Sequence, residues 1–138
     1  MEGIYQHQID AKGRLSIPAR LREDLGETFY VTLSMDKCLA AYSLESWKGF
    51  MEKIAAMPTA SKRKMRPLFT HAAKCDVDSQ GRILLTQALR DFAGLNRSVT
   101  IAGVGDHVEI WDSDAFAPVD AMETTPEYIA GVFEELGI

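Results

Sequence analysis

Cysteine is scarce in this 138-residue chain: Cys38 and Cys75 are the only two, far apart and in no C-x-x-C spacing. That pattern excludes a zinc ribbon, a redox pair and a disulfide-stapled miniprotein, and both residues are expected as buried thiols in a reducing compartment. No apolar run approaches the roughly 18 residues that a membrane-spanning helix needs. The opening MEGIYQHQIDAK carries acidic groups and lacks the greasy stretch of a secretion signal. The expectation is therefore a soluble, cytoplasmic protein without a membrane partner. Positive charge is missing altogether from Asp106 to Ile138, which holds nine acidic residues and no Lys or Arg. The net charge of −5 conceals this: the first 105 residues carry 15 basic against 11 acidic groups, a body of +4 beside a tail of −9. Such polarity fits a basic working face with an acidic segment held away from it, and equally an ordinary solvated acidic helix. At 46% hydrophobic content, one domain's worth of chain can bury its own core, which excludes disorder and collagen.

What the chain does have is a repeat. IDAKGRLSIPARLRE (Ile9 to Glu23) recurs 68 residues later as VDSQGRILLTQALRD (Val77 to Asp91). Asp10 matches Asp78, Gly13 matches Gly81, Arg14 matches Arg82, and Leu21-Arg22 matches Leu89-Arg90. At the same offset Gly26 meets Gly94, and Val31-Thr32-Leu33 meets Val99-Thr100-Ile101. One inserted residue later CLAAYSLESW runs beside HVEIWDSDAF, placing Tyr42 against Trp111 and Trp47 against Phe116. The chain is a tandem duplication.

Each copy reads alike. A short strand ends at a D-x-x-G-R turn, and a second strand follows (Leu15 to Ile17; Ile83 to Leu85). A helical turn comes next (Ala19 to Leu25; Gln87 to Ala93) and stops at Gly26 or Gly94. Pro18 sits at the entrance of the first helical turn, where a missing N–H costs nothing. Two more strands form a hairpin-like pair, Thr28 to Ser34 with Leu39 to Tyr42, and Ser98 to Ala102 with Val108 to Trp111. Four short strands cannot bury their apolar faces alone, so the two copies are expected to share a barrel. The chain then divides into a first half (1–46), a helical insert (47–74), a second half (75–116) and an acidic helical segment (117–138). In the insert, Trp47, Phe50, Met51, Ile54 and Met57 share one helical face. Met65, Leu68, Phe69, Ala72 and Ala73 share another, beside the five cations Lys62, Arg63, Lys64, Arg66 and Lys74. Pro67 demands a kink there or a helix start near Arg66. Thr125 and Pro126 open a last helix with Ile129, Val132, Phe133 and Leu136 as its stripe.

The chemistry concentrates in the two turns. Asp10 or Asp78 can accept from backbone N–H groups a few residues on, and Gly13 or Gly81 can supply the positive φ of a tight reversal. Arg14 or Arg82 then leaves a rigid turn and can engage a phosphate or a guanine edge bidentately with little ordering entropy left to lose. The competing reading is that each Arg folds back on its own Asp and only staples its hairpin. Lys12, Arg20, Arg22 and Arg90 are weaker basic neighbours.

The stretches GIYQHQIDAKGRLSIPARLRE, THAAKCDVDSQGRILLTQALRDFAGL and VTIAGVGDHVEIWD resemble the MraZ family of bacterial transcriptional regulators, built from two tandem AbrB-like (SpoVT-AbrB) modules. The resemblance covers almost the whole chain and weakens after about Phe116. It implies a mainly β fold with helical additions (α+β), in which two tandem pseudo-symmetric halves form a swapped-hairpin AbrB-like β-barrel within one chain. It further implies a ring-shaped homo-oligomer that binds repeated double-stranded DNA elements at promoters of the division and cell-wall gene cluster, in the cytoplasm with the nucleoid. The family's D-x-x-x-R motif maps onto Asp10 and Arg14, and again onto Asp78 and Arg82. The second copy departs around it: Lys12 becomes Gln80, Pro18 becomes Thr86 and Arg20 becomes Ala88. The first copy is therefore expected to carry more of the DNA contact.

Other function classes find less support. His7, His71 and His107 lie in no recognisable acid/base or nucleophile pattern. His71 and Cys75 lie four apart, as half a metal site on a helix would, but no further ligands stand at readable spacing. An Asp10–Asp78 dyad sharing a proton conflicts with the Arg four residues after each. No catalytic residue, metal, cofactor or small-molecule substrate is expected. The remaining alternative is an AbrB-like assembly or protein-binding module without direct DNA contact.

Overall fold

The computed structural model describes all 138 residues. Its strands and helices run β1 (Glu2–Gln8), β2 (Arg14–Ser16), α1 (Ala19–Leu25), β3 (Thr28–Leu33), β4 (Leu39–Ser43), α2 (Leu44–Ala55), α3 (Thr59–Lys64), α4 (Arg66–Thr70), β5 (Ala73–Asp76), β6 (Arg82–Leu84), α5 (Gln87–Ala93), β7 (Ser98–Val104), β8 (Val108–Asp112), α6 (Ser113–Glu123) and α7 (Pro126–Leu136). The fold is α+β, antiparallel strands with helical additions, as the family resemblance implies. None of the helices is long and apolar enough to cross a membrane.

Six strands form one sheet in the order β1-β7-β8-β4-β3-β5, and β2 pairs with β6 in a separate ribbon. Exchanging the two halves turns this order into its own reverse, since β1 corresponds to β5, β3 to β7 and β4 to β8. A pseudo-twofold axis therefore passes between β4 and β8, and between Leu15 and Ile83, which face each other in the ribbon. Strands exchange across that axis: β1 pairs with β7, β3 with β5, β2 with β6 and β4 with β8. A lone half would leave these edges and their apolar faces unpaired.

The exchange between halves is the expected one; closure is not. β1 and β5 remain the two edges of the sheet, so the strands do not close into a barrel. A single bridge, Ile9 to Leu15, links β1 to the ribbon. The D-x-x-G-R turns are the cause: each reverses its chain just past the edge strand, and the next three residues pair with their counterparts from the other half instead of sealing the sheet.

The ladders also correct the repeat alignment. A constant offset sets Val31 against Val99, but Val31 lies opposite Ala41 as Ile101 lies opposite Ile110, so Ile101 is its counterpart. The N–H of Ile9 donates to the carbonyl of Arg97 at 2.9 Å, as that of Val77 donates to Glu27 at 2.8 Å. Arg97 therefore occupies the place of Glu27, and Leu95 and Asn96 are extra residues of the second half. A shift of two leaves strand alternation unchanged, so the apolar pattern does not register it.

One sheet face, the inner side of the ribbon, α1 and α5 enclose a common core: Leu15, Leu21, Leu25, Phe29, Val31, Leu39, Ile83, Leu89, Val99, Ile101 and Ile110 are essentially inaccessible. The other face carries the helical insert on aromatic contacts. Trp47 stacks on Tyr30 with centroids 4.8 Å apart and meets Phe69 edge-on at 5.7 Å, while Phe50 stacks on Tyr42. The corresponding place in the second half holds Trp111 against Phe116, the pair the repeat aligns with Tyr42 and Trp47. Of the expected α2 stripe, Trp47 and Ile54 are buried, but Met51 and Met57 are exposed. Pro67 marks a helix start rather than a kink: α3 ends at Lys64 and α4 begins at Arg66. Ala73, expected on that second helical face, begins β5. Thr125 caps α7, its Oγ1 accepting from the N–H of Tyr128, and Pro126 follows at the first helical position.

Candidate nucleic-acid interface

The ribbon is three residues long on each strand. Leu15 and Ile83 point into the core, so by the two-residue period of a strand Arg14, Ser16, Arg82 and Leu84 point outward. Arg14 lies opposite Leu84 and Arg82 opposite Ser16. The two arginines thus occupy opposite corners of an outward face, on a diagonal of roughly 7–8 Å. Leu84, beside Arg14 at a third corner of that face, is 61% exposed. A two-stranded ribbon is one of the two elements that fit a DNA major groove about 12 Å wide.

Each arginine is aimed by its turn. Asp10 Oδ1 accepts from the backbone N–H of Lys12 at 3.0 Å and of Arg14 at 2.9 Å, and Oδ2 accepts from Arg14 Nε at 2.6 Å. Asp78 repeats the set with Gln80, Arg82 and Arg82 Nε at 2.8, 2.9 and 3.0 Å. The backbone N–H of Arg14 first, then its guanidinium, hold the Asp10 carboxyl below the usual carboxylate range; Arg82 and Gln80 do the same for Asp78. The two readings of these arginines therefore coexist. Nε is tied to the carboxylate, while no protein acceptor engages the terminal Nη groups of Arg14 or Arg82, whose side chains are 37% and 25% exposed. The staple leaves a pre-oriented fork.

The other basic residues separate. Arg22 and Arg90 are cross-braces. Arg22 Nε donates to the Ile17 carbonyl and its guanidinium lies over Gly81, while Arg90 Nε donates to the Leu85 carbonyl and its guanidinium lies over Gly13. Each therefore locks the turn of the opposite half. Gly13 and Gly81 have φ of +88° and +78°, and a Cβ at Gly13 would stand 2.8 Å from Arg90 Cζ and 2.9 Å from the Leu85 carbonyl oxygen. Lys12 is exposed within the first turn. Arg20 is not gathered with these groups and lines a separate cleft with Met1, Glu2, Glu23 and Asp24. Pro18 precedes α1, and Thr86 at the equivalent place caps α5 by accepting from the N–H of Leu89.

Sequence reasoning missed Arg97 and Gln8. They meet beside the first turn, where Arg97 Nε donates to Gln8 Oε1 at 3.4 Å and both line an open cleft with Asp10, Arg90 and Asp91. No motif marks either residue; only the cross-half pairing of β1 with β7 brings them together. The helical His71–Cys75 half-site does not form, because α4 ends at Thr70 and Cys75 lies buried in β5. Both cysteines are free and buried. Asp10 and Asp78 are each bound by their own arginine rather than by each other.

Against known proteins, the family model described as "MraZ protein, putative antitoxin-like" matches residues 1–66 and 68–122. The chain is 44% identical to the transcriptional regulator MraZ of Acetivibrio thermocellus, over 99% of this chain and 98% of that one. It is 43% identical to its namesake in Caldicellulosiruptor saccharolyticus with the same coverage. To that of Carboxydothermus hydrogenoformans it is 47% identical over 81% of this chain and 80% of the other.

Proposed function

The chain belongs to the MraZ family of transcriptional regulators, and from that premise we propose that it binds double-stranded DNA through the β2–β6 ribbon. The observation that carries this reading is the pair of outward guanidiniums, each fixed through Nε and open at Nη, on a ribbon narrow enough for the major groove. Arg14 and Arg82 contact phosphates or base edges, Lys12 adds charge, Asp10 and Asp78 orient the turns, and Gly13 and Gly81 permit them. Arg22 and Arg90 serve chiefly by holding the turns in place. Arg20 lines a separate cleft with Glu2, Glu23 and Asp24 and contributes least.

The targets in this reading are repeated promoter elements of the division and cell-wall gene cluster, gripped by a ring-shaped homo-oligomer in the nucleoid region of the cytoplasm. Residues 1–46 and 75–116 form the DNA-contacting unit, and 47–74 with 117–138 the assembly elements. Catalysis, a metal, a cofactor and a small-molecule substrate play no part. Assembly rests on charge and apolar complementarity. The α7 stripe is open to solvent, with Ile129 45% and Phe133 52% exposed, beside Glu127, Glu134 and Glu135. The exposed cations of α3, Lys62, Arg63 and Lys64, form no ion pair within the protomer. In the ring, α7 of one protomer lies on the basic insert of the next.

Gel shift with the DNA upstream of the protein's own gene tests the reading. Wild type is expected to shift it at low salt, and Arg14→Ala with Arg82→Ala to abolish the shift while the protein stays folded by circular dichroism. No wild-type shift would favour an assembly module that makes no DNA contact.

A further inference from the structure

The pseudo-twofold axis relates the two turns in backbone but not in charge. At the Asp10 end, the turn and its cross-half neighbours present Lys12, Arg14, Arg90 and Arg97, four cations, against Asp10 and Asp91. Both of those carboxylates are already engaged, Asp10 by Arg14 and Asp91 by the Gln87 amide at 2.7 Å. The equivalent positions at the other end are Gln80, Arg82, Arg22 and Glu27, with Asp78 and Glu23; Gln8 is replaced there by Asp76. That end therefore carries two cations against four carboxylates. The two ends differ in formal charge by four units, from +2 to −2. Three of these four units come from residues outside the repeated motif, Arg97 for Glu27 and Gln8 for Asp76, placed there by strand exchange; Lys12 for Gln80 supplies the fourth.

We propose that Arg97 is a DNA phosphate contact and that, with Lys12, it makes the Asp10 end of the ribbon the anchoring end, so that each protomer sits on its duplex in one orientation. The inference rests on the ribbon being the DNA-binding face. Arg97 is suited to the role. It is exposed, its backbone carbonyl is fixed by the Ile9 N–H at 2.9 Å, and its Nε is steadied by Gln8 while its Nη groups meet no protein acceptor. The extra Leu95-Asn96 stretch is tied down by the Asp112 carboxylate, which accepts from the Asn96 N–H at 3.2 Å. At the opposite end Glu27 and Asp76 repel a phosphate backbone. The duplex is therefore gripped more firmly at the Asp10 turn than at the Asp78 turn, although the two turns share one hydrogen-bond pattern.

The orientation can be read directly. Ala11 and Ser79 are equivalent exposed positions in the two turns. The native thiols are buried and pushed up to about 12 for Cys38 and about 11 for Cys75, so a DNA-cleaving iron chelate can be attached selectively at Ala11→Cys or Ser79→Cys. On the upstream-region duplex, the chelate at Ala11→Cys is expected to cut one flank of each bound element, and that at Ser79→Cys the other. Arg97→Gln should weaken binding about tenfold, as loss of one charge-assisted hydrogen bond does, and make the salt slope shallower by about 0.9. Glu27→Arg should strengthen binding and blur the one-sided cleavage. Equal cutting of both flanks by both chelates, or Arg97→Gln binding like wild type, overturns the proposal. If either occurs while Arg14→Ala still abolishes binding, the ribbon reading survives; if Arg14→Ala and Arg82→Ala leave binding intact, it is the ribbon reading that fails.

Discussion

At the residue scale, the proposed DNA contact depends on carboxylates that hold arginines without neutralising their reach. Asp10 and Asp78 lie below their ordinary value of 3.8 because backbone N–H groups and a guanidinium favour the ionised form. A group lowered by folding adds stability that is fully present above its unfolded value and is lost as pH falls through the folded one. The turns should therefore stay intact down to about pH 3.8 and loosen only below it. Carboxyl carbon shifts followed by NMR are expected to show both residues titrating beneath 3.8, and midpoints at or above it would contradict the hydrogen-bond assignment. The turn glycines give a second expectation. Gly13→Ala forces a side chain into positive φ and against the Leu85 carbonyl, whereas Gly81→Ala meets mainly the Arg22 guanidinium, which can move. Thermal or urea unfolding should show Gly13→Ala destabilising by roughly 1–3 kcal/mol, with Gly81→Ala costing less.

At the element scale, helices were more legible than strand register. The bounds of α1 and α5 coincide with the sequence reading, because Gly26 and Gly94 stop them and their apolar positions repeat at helical spacing. Pro67 announces a discontinuity but not its kind; α3 ends at Lys64 and α4 begins at Arg66, with Pro67 in its first turn, where its missing N–H leaves no helical bond unmade. Register between the halves was invisible to a two-residue pattern, and the sites that depend on it, Arg97 beside Gln8 and Arg22 over Gly81, were missed or misread accordingly. α7 is the element with most apolar surface left over. Ile129→Glu with Phe133→Glu should leave protomer melting nearly unchanged, since both side chains are half exposed, and should lower the solution mass measured by light scattering. Reversing Lys62, Arg63 and Lys64 should lower it in the same way, with DNA affinity per protomer preserved.

At the scale of the whole molecule, the protomer is a pseudo-dimer in one chain, and a cyclic head-to-tail assembly of such protomers would present every ribbon in the same sense. Repeated elements of like polarity suit that arrangement, and modest single-site affinity becomes tight binding through effective concentration. Arg14→Ala should accordingly cost more in the assembled form than in a protomer released by the α7 substitutions. If each protomer engages about three phosphates, log affinity against log salt should have a slope near −2.7 per bound protomer, from about −0.9 per phosphate. Anisotropy titrations over a salt series measure it, and a slope near zero would be incompatible with backbone contacts.

The duplication, the two D-x-x-G-R turns, the thiols' burial and the α+β class all follow from residue order alone, because turn chemistry, side-chain periodicity and burial preference act over a few neighbouring residues. Tertiary structure decided which half supplies each strand's partner, that the sheet stays open, and which arginines face outward and which brace the opposite turn. Those outcomes depend on pairings between residues some 40 to 100 positions apart, and a pairing that slides by two residues keeps every apolar side chain on its proper face.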